Sequence, residues 1–132
     1  MNGLEAPSLE DLETLAADAY AHLPPEFRAV TGNIIIRVTD FPTDDVLKAM
    51  EARDEFELLG LFHGVGLAHR EELSRTGSLP NMIFLYRRPI LDYWADHKET
   101  LGDIVSHVLI HEIGHHFGLS DDDIDRLESE AP

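Results

Sequence analysis

Residues 111 to 115 read His-Glu-Ile-Gly-His. On a helix, positions four apart are neighbours on one face. The imidazoles of His111 and His115 can therefore both reach one zinc ion at ~2.0–2.1 Å. Glu112, next to the first of them, does not point at the metal; it can reach a metal-bound water and take its proton. The ion makes that proton acidic near neutral pH, and the hydroxide can attack a polarised carbonyl. Two ligands hold a catalytic zinc poorly, since such sites commonly use three protein ligands and leave one position for water. Gly118 lets the chain leave the helix sharply, and Asp121 follows three residues later, with Asp122 and Asp123 behind it. Asp121 is the expected third ligand and Asp122 its main rival. Each of the three aspartates also has an ordinary explanation, as an acidic residue favoured at the start of a helix by the helix dipole.

Other residues compete for roles. His107 lies one turn before His111, and as a fourth ligand it would close the site and make the metal structural; the open three-ligand arrangement argues against that. His116 is expected behind the site or at the surface. His63, His69 and His97 have no motif around them. Tyr86 with Arg87 or Arg88 would stabilise an oxyanion if their strand borders a cleft, the alternative being strand packing and solvated arginines.

The helix that must position the motif is the clearest in the chain. It runs from Thr100 to Phe117, with Leu101, Ile104, Val105, Val108, Ile113 and Phe117 on its apolar side and Gly118 placed to end it in a left-handed conformation. Ser120 caps a last helix, with Asp123 three residues on. Upstream, Ser8 to His22 reads as a helix capped by Ser8 and ended by Pro24-Pro25. Asn33 to Thr39 reads as a strand, and its near-continuous apolar run predicts cover on both faces. A short helix is expected over Thr43 to Arg53. Leu58 to Leu67 holds three glycines and is either a glycine-interrupted edge strand or a loop. It lacks the Gly-Lys-Ser/Thr ending of a phosphate loop. Arg70 to Pro80 is polar and reads as a loop, Asn81 to Arg88 as a second strand, and Ile90 to His97 as a short helix or turn.

With 132 residues, 43% of them hydrophobic, the chain suits one domain over residues 1–132. The absence of cysteine excludes disulfides, thiolate metal sites and cysteine nucleophiles. A formal net charge of −16 disfavours nucleic acid and anionic membrane as partners. Arg70, Arg75, Arg87, Arg88 and Lys98 break that pattern and suggest a local basic patch. The start lacks a basic segment followed by an apolar run, and no apolar stretch is long enough to span a bilayer, so a cytoplasmic location is expected.

The whole string His111, Glu112, His115, Gly118, Asp121 fills the pattern H-E-x-x-H-x-x-G-x-x-D. It resembles the long zinc signature of the metzincin clan with Asp in place of the third His, a variant that occurs among some small bacterial members. LIHEIGHHFGLSDDD, ELLGLFHGV and IFLYRRPI look like the minimal zincin family of short bacterial proteins, over residues of about 30 to 130. The resemblance implies a compact α+β fold, with a small mixed sheet packed against helices and the zinc helix beneath a cleft. It implies zinc on His111, His115 and Asp121, Glu112 as general base, and a peptide or protein substrate. There are departures. Met1, Met50 and Met82 all precede the motif, so the methionine turn that follows it in metzincins is missing, and the sequence ends soon after Asp125 without a lower subdomain. The leading expectation is a zinc-dependent peptide hydrolase, and its competitor a zinc-binding protein that holds a peptide or partner without turning it over.

Overall fold

A computed structural model describes residues 5–31, 34–63 and 81–130, with the backbone alone at 26, 30, 121, 127 and 130. Helices α1 (Leu9–Ala21) and α2 (Pro25–Thr31) precede strand β1 (Ile34–Thr39). Helix α3 (Asp44–Ala49) leads to β2 (Gly60–His63). Strand β3 (Asn81–Tyr86) passes directly into α4 (Arg87–Ala95), and α5 (Leu101–His116) and α6 (Asp121–Glu130) complete the described chain. The expected loop at Arg70 to Pro80, and His69 with it, lie outside the described residues.

Local chemistry sets most of these boundaries. Ser8 caps α1 and exchanges hydrogen bonds with Asp11, a complete capping box. Thr43 and Thr100 cap α3 and α5 through their hydroxyls. Pro24-Pro25 ends α1 as expected, but Pro25 also opens α2, where its fixed φ suits a first helical position and its missing N–H costs nothing.

The sheet order is β1-β3-β2, with β1 parallel and β2 antiparallel to β3. β3 is central, and its Ile83, Leu85 and Tyr86 are buried. The mixed α+β architecture matches the sequence expectation. Among the described residues β1, however, is an edge strand whose residues alternate between more and less accessible, and Ile35 is 39% exposed. Its apolar run therefore reflects β-branched preference for strand backbone, not cover on both faces. Within Leu58 to Leu67 the structure has strand β2 as far as His63, at the edge of the sheet among the described residues; residues 64 to 67 are outside the described set.

α5 is the hub. It buries Leu101, Ile104, Val105, Val108, Leu109, Ile110 and Ile113, so apolar side chains cover most of its circumference. One flank meets α1 through Leu12 and Ala16, and another meets β2, where close approach is permitted by a missing side chain: a Cβ on Gly60 would lie 2.7 Å from Val108 Cγ1 and 3.1 Å from the Phe84 carbonyl oxygen. At the other end, the buried Asn81 side-chain amide donates to the Thr31 carbonyl at 2.9 Å, fastening α2 to the start of β3.

Candidate metal centre

With most of its surface in the core, α5 leaves one polar stripe, at Asp103, His107, His111 and His115, each a turn from the next. His107 and His115 are exposed and His111 is partly covered. The rings of His107 and His111 are 4.0 Å apart, and those of His111 and His115 5.6 Å apart and edge-on. The i, i+4 spacing of the motif thus places both histidines on one face, as expected.

Helix α6 supplies the opposite wall. Phe117 ends α5, and Gly118, at φ +81°, turns the chain in the left-handed region that glycine occupies at least cost. The Ser120 hydroxyl accepts from the Asp123 backbone N–H at 3.1 Å and starts α6. That helix folds back along α5 and comes close at Gly114, where a Cβ would lie 2.7 Å from Cγ1 of the buried Ile124. Gly114, between Ile113 and His115, is therefore what lets α6 approach the histidine helix.

The approach brings in Glu128, which sequence reasoning missed. One carboxylate oxygen is 2.7 Å from His107 Nδ1, and the other is 3.4 Å from His111 Nε2. The second pair is not hydrogen-bonded, although His111 Nε2 and Glu128 Oε2 are both screened from solvent. Among the described residues, His107, His111 and Glu128 offer ligand atoms within 4.8 Å of one another. Two imidazoles and a carboxylate are a donor set suited to zinc, and the two buried, unsatisfied atoms facing each other fit a cation between them. Asp121 opens α6, but its side chain is outside the described residues, so a His111, His115 and Asp121 set has no geometry here. Asp122 is exposed, and the Asp123 carboxylate accepts hydrogen bonds from Ser120 and, at 3.5 Å, from Arg126 Nη2.

The electrostatics suit the same chemistry. Burial, then the neighbouring His107, holds His111 below the ordinary histidine range and so in the neutral form that ligates metal. Burial also raises the Glu112 carboxyl, against an opposing pull from His115. Tyr86, at the end of the central strand, is 3% exposed; burial and then the Glu112 charge push its hydroxyl up, so it stays protonated.

The remaining candidates sort by contact. Arg87 does not face the site: its Nε donates to the Pro7 carbonyl at 2.6 Å and its Nη1 pairs with Asp40 at 3.1 Å. Arg88 sits over the Phe41 ring at 5.7 Å. The expected basic patch loses Arg87 to Pro7 and Asp40, Arg88 stays exposed beside Phe41, and Arg70 and Arg75 are outside the described residues. His116 stacks on Phe62 of β2 at 4.1 Å, and His97 stacks on Tyr93 at 3.7 Å. Among the described residues, no helix is long and apolar enough to cross a membrane.

A family model described as zincin-like metallopeptidase matches residues 31–131, which include β1, the sheet and both walls of the histidine stripe. The chain belongs to that family. Membership implies a metal cofactor, typically zinc, and the donors on α5 and α6 fit one. No curated protein matches the sequence.

Proposed function

We propose that the chain is a zinc-dependent peptidase whose general base is Glu112. The observation that carries this reading is the placement of Glu112: it adjoins His111 on the histidine helix, partly buried, with its carboxyl raised towards the range where a base works at neutral pH. His111 and His115 would hold the ion with one carboxylate from α6 as third ligand, a place the motif gives to Asp121, leaving one position for water. Bound there, zinc would supply polarisation of a carbonyl and a more acidic water proton. Glu112 takes that proton and returns it to the leaving amine. Tyr86, protonated and beside Glu112, is placed to donate to the carbonyl oxygen as charge develops on it. The outer edge of β2 pairs with an extended peptide, whose main-chain groups would continue the sheet.

The test is turnover of a peptide library by the zinc-loaded protein and by E112Q. The reading expects the variant to lose ~10²–10⁴-fold in rate while keeping its zinc. Wild-type turnover in E112Q would refute the mechanism. A zinc-loaded wild type inert across the library favours the non-hydrolytic alternative, a metal-dependent peptide-binding module. Y86F is expected to lower kcat without changing zinc content.

A further inference from the structure

We propose that Glu128 takes the third protein position on the ion, the one the motif gives to Asp121, its Oε2 sharing the ion with His111 Nε2 so that one position stays open for water, and that His107 is the positioning residue that holds the carboxylate by its other oxygen. The proposal rests on the reading of this site as a metal centre.

The distances carry it. His111 Nε2 and Glu128 Oε2 are 3.4 Å apart, buried, and without a hydrogen bond. With His111 neutral this is a costly arrangement, since each atom gives up water and gains no hydrogen bond. It is also the ligand-to-ligand edge of a tetrahedron whose bonds are ~2.1 Å, the length of zinc bonds to histidine and carboxylate. The other oxygen explains why the carboxylate stays in place: His107 Nδ1 lies 2.7 Å from Glu128 Oε1, the spacing of a charge-assisted hydrogen bond. Ligating carboxylates are commonly held from behind in this way. The fold delivers both partners by one device. α5 and α6 form a hairpin about residues 117–120, and Glu128 lies as far from the turn along α6 as the midpoint of His107 and His111 lies along α5. The close contact of Gly114 with Ile124 fixes that register.

The experiment measures zinc affinity of the full-length chain by competition with a chromophoric chelator, beside the visible spectrum of the cobalt-loaded protein. The variants are E128Q, E128D, H107A, H107N and H115A. E128Q is expected to weaken zinc binding by at least ~100-fold and to alter the cobalt spectrum. H107A is expected to lose ~10–100-fold. H107N, whose amide still donates to Oε1, is expected to recover to within a few-fold of wild type, which loss of mere packing would not allow. Both side chains are partly exposed, so the fold is expected to persist. If E128Q nonetheless unfolds, E128D carries the test, being one methylene short of the ion and expected to weaken binding. Wild-type affinity in E128Q overturns the proposal, and so does tighter binding, which would make Glu128 a competitor of the ion. If H115A loses zinc while E128Q keeps it, the metal centre stands and Glu128 falls. If the wild type binds no zinc, both fall.

Discussion

The Glu112 carboxyl is raised by burial, with His115 partly opposing the shift. The folded, metal-free chain therefore holds that proton more tightly than the unfolded chain does. A group raised in this sense contributes stability that is fully present below its ordinary value of 4.5 and lost as pH rises through the folded value. At neutral pH the ionised, partly buried carboxylate works against the fold. E112Q removes that charge, so metal-free E112Q is predicted to melt above the wild type at pH 7, with the difference vanishing towards pH 4. Thermal unfolding in chelator at the two pH values checks this, and equal melting temperatures at pH 7 would contradict it. A residue whose loss stabilises the fold while abolishing turnover is one retained for function.

Two glycines at the element scale make separable predictions. Gly60 lets β2 lie against α5, and an alanine Cβ there meets stiff Val108 and a backbone carbonyl. G60A is predicted to cost about 1–3 kcal/mol through overpacking. Gly118 has nothing within 4 Å of an added Cβ, so G118A is predicted to cost about 1–2 kcal/mol through its left-handed backbone alone. Denaturant unfolding of both measures the difference; a neutral G118A would contradict the turn argument. The same elements show what a sequence reveals. Caps at Ser8 and Ser120, and the stop at Gly118, were legible because each cap and its partner lie three residues apart and glycine marks the turn; Thr43 and Thr100 were read only as helix starts and prove to be caps as well. Helix α2 was not, because Pro24-Pro25 reads as an end and hides a start. The exposed face of β1 was not, because an apolar run does not say which strand becomes central. His111, Glu112 and His115 were legible from helical spacing. Glu128 was not, because it meets His107 and His111 only once α6 folds back. The signal was present in the four-residue turn, which pairs positions equidistant from it. Arg87 misled for the opposite reason, its guanidinium being taken up by Asp40 and Pro7, far away in sequence.

At the scale of the whole molecule, the centre joins two helices that are sequential neighbours and pack on each other at Gly114 and Ile124. A metal that binds only the folded chain stabilises it by mass action, about 2.7 kcal/mol at a free concentration of 100 times Kd. For a domain of this size that is a rise of roughly 10 °C in Tm. Zinc is predicted to give such a rise in the wild type and to give none in H111A, since His111 belongs both to the motif and to the cluster with Glu128. An equal rise in H111A would place the ion elsewhere.

The most direct test of the account is the metal content of the purified protein, by elemental analysis beside H111A and H115A. About one zinc per chain is expected in the wild type, with zinc lost in both variants. A wild type that holds no zinc even after the metal is added back would contradict it, and would leave the histidine stripe as a polar helix face with no centre to build.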